Sequence, residues 1–328
     1  MKRSLLVYAV GHLAVDFVCA WAVFGRLSGT AKWLELALVY NFCAFAMQMP
    51  VGILADRLGR NRSLGALGAA LVCAGALSPW QWPMVILCGA GNALYHVGGG
   101  RETLLETEGY QELGLFVAPG AIGIFLGSLF RGETLPGIMG IGLLLACGLL
   151  LWMGSRQEMA EPAELQRPDR KELLRTVGMF AVVILRSLVG MCMITPWKTG
   201  VWVVLGTILG AFGKAAGGLA SDRWGAKVGA GLSLLAAAVL YLFPEQPVCG
   251  VLAGFLFNMS MPVTLRDSAR ALSGGEGFAF GLLTFGLFLG FLPAQWGLTL
   301  TSWQGAALAA FSGLILIAVA RRNVKCTT

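Results

Sequence analysis
The chain predicts an all-α membrane protein of twelve transmembrane helices in two pseudo-symmetric six-helix bundles. Three observations carry that expectation: a composition suited to lipid, twelve apolar runs, and an internal repeat. Of the 328 residues 57% are hydrophobic and only 12% are charged, and the mean hydropathy is +0.74, values far from those of a soluble domain. A helix needs ~20 apolar residues to cross a ~30 Å hydrocarbon layer. Twelve crossings therefore consume most of the chain and leave no room for a sizeable soluble domain. The 46 glycines fit the same solvent, because small residues let spanning helices approach closely.

The apolar runs fall at about 5–25, 34–55, 63–79, 83–101, 112–130, 135–154, 173–194, 200–220, 226–243, 247–265, 277–295 and 303–320. Tight Pro-containing turns are expected between the third and fourth, at Ser78 to Pro83, and between the ninth and tenth, at Pro244 to Pro247. Lys2 and Arg3 imitate the start of a signal peptide, but the run behind them holds His12 and Asp16 and lacks a clear cleavage site. It is expected to be retained as the first helix.

Lys and Arg set the orientation. With the N-terminus inside, the cytoplasmic loops and tails hold Lys2, Arg3, Arg57, Arg60, Arg62, Arg156, Arg167, Arg170, Lys171, Arg175, Arg223, Lys227, Arg266, Arg270, Arg321, Arg322 and Lys325. The outside holds only Arg26, Lys32, Arg131 and Lys198. The positive-inside rule thus places both termini in the cytoplasm of a multi-pass cell-membrane protein. The net charge of +7 is spread over helix ends and forms no patch with interleaved aromatics, which argues against a nucleic-acid partner. The eight cysteines show no metal-ligand spacing and read as reduced packing residues.

The third observation is a repeat at an offset of 166 residues. Gly52, Asp56, Arg57 and Gly59 recur as Gly218, Asp222, Arg223 and Gly225, while Asn92 maps to Asn258 and Gly120 to Gly286. Residues 1–154 are then an N-terminal six-helix bundle, 155–172 a cytoplasmic linker rich in Glu, Arg and Pro, and 173–328 a C-terminal six-helix bundle. Parallel repeats with a binding site at their interface are a recurrent plan for transporters.

The first copy, Gly52-x-x-x-Asp56-Arg57-x-Gly59-Arg60-x-Arg62, resembles the signature loop of the major facilitator superfamily, and with its second copy the resemblance covers the whole chain. Ala226 stands in the second copy where the first has Arg60. The resemblance implies that Asp56, Arg57, Arg60, Asp222 and Arg223 gate or latch the two halves, with Asp56 near the eleventh helix and Asp222 near the fifth. A narrower pattern comprises His12-x-x-x-Asp16, Tyr95-His96-x-x-x-x-Arg101, and Gly114 to Gly127. It resembles the fosmidomycin-resistance branch, whose members are drug or organic-anion exporters, although Val97 and Gly98 stand where that branch often has Pro and Glu.

Polar residues inside the apolar runs are the functional candidates, because burying charge in lipid is costly. His12 and Asp16 are four apart on one helix face, ~10 and ~16 Å from the cytoplasmic end. Asp16 must face water or a partner, or stay protonated, and is the candidate proton-coupling residue together with His12. Asn92 and His96 repeat the spacing on the fourth helix, with His96 at a depth close to that of His12. His12, Asn92, His96, Arg101 and Arg186 form the candidate substrate-binding set. Arg101 is expected to end the fourth helix, where it either holds an anion or pairs with Glu102. Arg186, ~20 Å into the seventh helix, needs a carboxylate or an anionic ligand. Asn41, Gln48 and Lys214 form a polar stripe expected to bond across helices.

These residues suit a secondary active transporter that exports a small anionic or zwitterionic organic solute by proton-coupled alternating access, as an antiporter. A divalent transition-metal carrier using His12, Asp16 and His96 is the alternative and requires the three side chains to converge. A passive facilitator or importer of the same fold is a further alternative. No nucleophile and base pair or phosphate loop supports an enzyme. No cofactor and no resident metal is expected, and the partners are solute, protons and bilayer lipid around a monomer.

Overall fold
The computed structural model describes residues 3–159 and 161–321. Lys2, Arg322, Lys325 and Cys326, used in the sequence reading, lie outside these. Twelve helical spans follow one another among the described residues: α1 (Arg3–Leu27), α2 (Trp33–Leu58), α3 (Asn61–Leu77), α4 (Gln81–Glu106), α5 (Gln111–Leu129) and α6 (Thr134–Ser155) in the first half. The second half holds α7 (Arg170–Cys192), α8 (Val201–Trp224), α9 (Lys227–Leu240), α10 (Pro247–Ala271), α11 (Glu276–Gln295) and α12 (Ser302–Val319). All twelve overlap the apolar runs, with ends agreeing to within four residues except that α4 and α10 run five and six residues further, and nine are long and apolar enough to cross a bilayer outright.

Local irregularities have sequence causes. In α10 the helix is interrupted at Met259 and Ser260. Pro262 lacks the N–H that would bond the Asn258 carbonyl, and its ring crowds that oxygen. α4, the repeat partner of α10, has His96 where α10 has Pro262 and runs unbroken to Glu106. Arg101 therefore does not end its helix. It sits fully buried inside the last turns of α4, which is possible because its guanidinium is neutralised there.

The chain divides into two compact units. One comprises Met1–Thr107, Pro119–Gln166 and Gly274–Phe288, the other Glu108–Ala118, Arg167–Ser273 and Leu289–Thr328. In the first, α3 meets α4 backbone to backbone, since a Cβ on Gly68 would lie 2.6 Å from the Gly91 carbonyl oxygen and one on Gly91 2.6 Å from that of Gly68. α5 crosses α1 in the same way: a Cβ on Gly123 would come within 2.3 Å of the Leu13 oxygen, and one on Gly127 within 2.3 Å of the Phe17 oxygen. In the second unit α8 meets α10 through Gly213 and Gly217, against the carbonyls of Phe255 and Met259. The seven described cysteines form no disulfide.

Candidate functional site
One face of α1 is polar at four-residue spacing: Tyr8, His12 and Asp16, all buried. Tyr8 donates its hydroxyl to the Asn61 carbonyl at 2.6 Å and packs edge-on against Tyr95. Above it, the glycine stripe of α5 leaves room for larger groups: a Cβ on Gly120 would stand 2.3 Å from His12 Nε2 and 2.5 Å from Asp16 Oδ2. The short side of α5 thus roofs the pair.

α4 supplies the other half. Asn92 Nδ2 donates to Asp16 Oδ1 at 2.9 Å, and His96 Nε2 lies 2.7 Å from His12 Nε2 with the rings edge to face. Asp16 is 3.4 Å from His12 Nε2 and 3.7 Å from His96 Nε2. His96 Nδ1 is 2.8 Å from the Asn92 carbonyl oxygen. A carbonyl only accepts, so Nδ1 carries the hydrogen and, in a neutral ring, His96 Nε2 presents a lone pair. The 2.7 Å contact then holds one hydrogen, donated by His12. With both rings neutral and Asp16 ionised the cluster carries one net negative charge, which one further cation would cancel.

The structure brings together His12, Asp16, Asn92 and His96 and separates Arg101 from them. Arg101 gives Nε to Asp56 Oδ1 at 2.8 Å, Nη1 to Asn61 Oδ1 at 2.9 Å and Nη2 to the Glu161 carbonyl at 3.0 Å. Its neighbour Glu102 points elsewhere, to Asn61 and Arg62 at 3.0 and 3.1 Å, because adjacent residues do not share a helix face. A substrate could reach Arg101 only by breaking a buried ion pair.

Asp56 also accepts the N–H groups of Gly277 and Phe278, at 2.9 and 2.8 Å, at the start of α11. Asp222 accepts those of Tyr110 and Gln111, both at 2.8 Å, at the start of α5. Each repeat carboxylate therefore meets the positive end of a helix from the opposite half. Gly52 permits the first approach, since a Cβ there would meet the Gly277 oxygen at 2.1 Å. Arg57, Arg60 and Arg223 are exposed and make no ion pair among the described residues, so they stand outside these contacts.

In the second unit Arg186 is buried, with its guanidinium 5.0 Å from the Phe257 ring centroid and its Nε without a hydrogen-bond partner. No carboxylate pairs with it among the described residues. The polar stripe bonds differently from expectation. Asn41 and Gln48 donate to carbonyls one turn back in their own helix, Ala37 and Ala44, and only Lys214 bonds across helices, to the Val117 carbonyl at 3.3 Å. A side chain four residues from a carbonyl reaches it without any partner helix.

Sequence reasoning did not single out Asn61, Glu161 or Cys19, and it offered Glu102 as a partner of Arg101, which pairs with Asp56 instead. Cys19, three residues beyond Asp16 on the same face, has its sulfur 3.9 Å from Asn92 Nδ2, and its i+3 spacing was the available signal. Nothing local flagged Glu161, whose role lies in its backbone.

No family model matches the chain, and no curated protein does. Solved structures do match it. An asparagine-to-alanine variant of the E. coli fucose:proton symporter FucP aligns over 97% of both chains at 13% identity with a TM-score of 0.69. FucP in an outward conformation, a Major Facilitator Superfamily transporter, aligns over 97% of this chain and 99% of its own at 14% identity and a TM-score of 0.65. A bacterial homologue of the iron transporter ferroportin, outward-facing, aligns over 97% of this chain and 99% of its own at 12% identity and a TM-score of 0.68. Likeness at that identity and coverage establishes the major facilitator fold.

Proposed function
We propose that the chain is a secondary active transporter that exports a small anionic or zwitterionic organic solute by alternating access, coupled to protons as an antiporter. The fold it shares with a fucose:proton symporter supports secondary transport, and the His12 to Arg101 pattern, similar to the fosmidomycin-resistance branch, supports export. One observation carries the coupling: buried His12, Asp16 and Asn92 cluster with half-buried His96, whose Nε2 lies 2.7 Å from that of His12.

The chemistry follows from charge. A net negative cluster inside a span costs several kcal/mol unless compensated, ~2.5–3.5 kcal/mol for a central Asp on insertion scales. A proton taken by the imidazole pair makes an imidazolium–carboxylate unit of zero net charge, suited to an occluded state. Opening to water removes the penalty and lets the proton leave. His12 and Asp16 are the proton-coupling residues, with Asn92 and His96 orienting them and reaching substrate. Arg186, a cation with no carboxylate among the described residues, is the candidate anchor for the anion. Arg101 is assigned to the Asp56 contact instead, and Asp56 and Asp222 to gating. Both termini are assigned to the cytoplasm, and residues 1–154 and 173–328 to the two moving bundles.

The test is flux in proteoliposomes. Asp16→Asn fixes a neutral group and is expected to abolish pH-gradient-driven accumulation of a transported carboxylate or phosphonate while leaving solute exchange measurable. Normal gradient-driven accumulation by this variant, at matched protein, would sink the coupling assignment, whereas wild-type protein that equilibrates the solute without accumulating it would favour a passive facilitator.

A further inference from the structure
We infer that His12, Asp16 and His96 form a binding centre for a divalent transition-metal ion, which adds such an ion to the substrates of this site. The inference rests on the reading above only for transport; binding is argued from the ligands themselves. One donor atom from each residue lies within 4.8 Å of the others, and they come from α1 and α4, which approach beside the cluster where Gly11 leaves room for the Tyr95 ring. The convergence that the sequence alternative required is therefore present.

Orientation distinguishes this cluster from a chance gathering. Metal-bound histidines ordinarily donate the other ring nitrogen to a carbonyl or carboxylate, which aims the free lone pair at the ion. His96 does so, from Nδ1 to the Asn92 carbonyl at 2.8 Å. Asn92 holds Asp16 Oδ1 from the far side at 2.9 Å, and rotated by half a turn its amide would present an oxygen as a fourth ligand. Gly120 closes the remaining side with no side chain to compete.

The donor set selects the ion. Two imidazoles and one carboxylate suit Mn²⁺, Fe²⁺, Co²⁺ or Zn²⁺, whereas Mg²⁺ and Ca²⁺ prefer oxygen alone and Cu⁺ prefers sulfur. In a tetrahedral site with ~2.0–2.1 Å bonds two nitrogens stand about 3.3 Å apart, so the rings must separate by about 0.6 Å from their 2.7 Å contact. That contact is the ion-free arrangement. On loading, the hydrogen on His12 Nε2 passes to His12 Nδ1, any extra proton held by the pair leaves to water, and the ion takes its place.

Co²⁺ titration of the purified full-length protein in detergent tests this. Expected is one saturable equivalent with visible d–d bands, no sulfur-to-cobalt charge-transfer band, and displacement by Zn²⁺. Affinity should fall at least tenfold in His96→Gln and in Asp16→Asn. Variants that run as monodisperse protein yet bind Co²⁺ as wild type overturn the centre. So does wild-type protein with no saturable equivalent, which needs no variant to fold. Reconstituted vesicles separate the two readings: organic-anion flux without Co²⁺ binding leaves the transporter and removes the metal centre. Co²⁺ binding with no flux of any solute leaves the centre and removes the transport reading.

Discussion
At the scale of single residues, Gly120 decides whether the polar cluster can assemble. A methyl group there would overlap His12 Nε2 and Asp16 Oδ2, and both are ends of side chains that can give way. Gly120→Ala is therefore expected to fold, with a stability loss of about 1–3 kcal/mol typical of overpacking, read as a lower melting temperature in detergent. Driven transport should fall far more than stability, since His12 is forced off His96. Wild-type flux in Gly120→Ala would show that the cluster tolerates displacement and is not the coupling site. The four-residue spacing made His12, Asp16, Asn92 and His96 legible in the sequence, because a helix turns i and i+4 to one face. Arg101 was not legible, since its partners Asp56, Asn61 and Glu161 are 40 or more residues away.

Among elements, the two repeat carboxylates make the same contact in unequal surroundings. Asp56 caps α11 and also neutralises Arg101, which is fully buried. Asp222 caps α5 from an exposed position. Removing one partner of a buried pair costs about 3–5 kcal/mol, whereas loss of an N-cap costs about 1 kcal/mol. Asp56→Asn should consequently lower thermal stability several-fold more than Asp222→Asn, and Arg101→Met should recover part of the loss in the double variant. Equal effects would mean that Arg101 finds another partner. A third element contact is local. Glu158 accepts the N–H of Arg62 at 2.9 Å and that of Ser63 at 3.4 Å at the start of α3, so Glu158→Ala should cost about 1 kcal/mol. The helices and the carboxylate loops were readable from hydropathy and the repeat. The use of Glu161 and Ala163 was not, because both act through backbone N–H groups, to the Gly59 and Asp56 carbonyls, and any residue but proline carries such a group.

For the whole molecule, twelve crossings turn orientation into a single choice: both ends lie on one side or both on the other. Lys and Arg at the loops argue for ends in the cytoplasm, since only Arg26, Lys32, Arg131 and Lys198 lie at the opposite end. Two of those four are also held by neighbours. Arg26 bonds the Ser78 and Pro79 carbonyls and Lys198 lies 5.6 Å from the Trp197 ring centroid, so they are less available to resist translocation. Trp80 in the first unit and Trp296 and Trp303 in the second are each at least 69% exposed, as aromatic residues are at a membrane interface. A reporter that matures only in the cytoplasm, fused after Thr328, should therefore be active, and a periplasm-dependent phosphatase inserted at Gly132, between α5 and α6, should be active in the same host. Gly132 has a positive φ of 83° with no neighbour within 4 Å of a Cβ, which makes the insertion a fair test of position rather than of folding. The reverse pattern in both fusions would overturn the orientation and, with it, the direction assigned to proton coupling, while leaving the cluster and the fold as they stand.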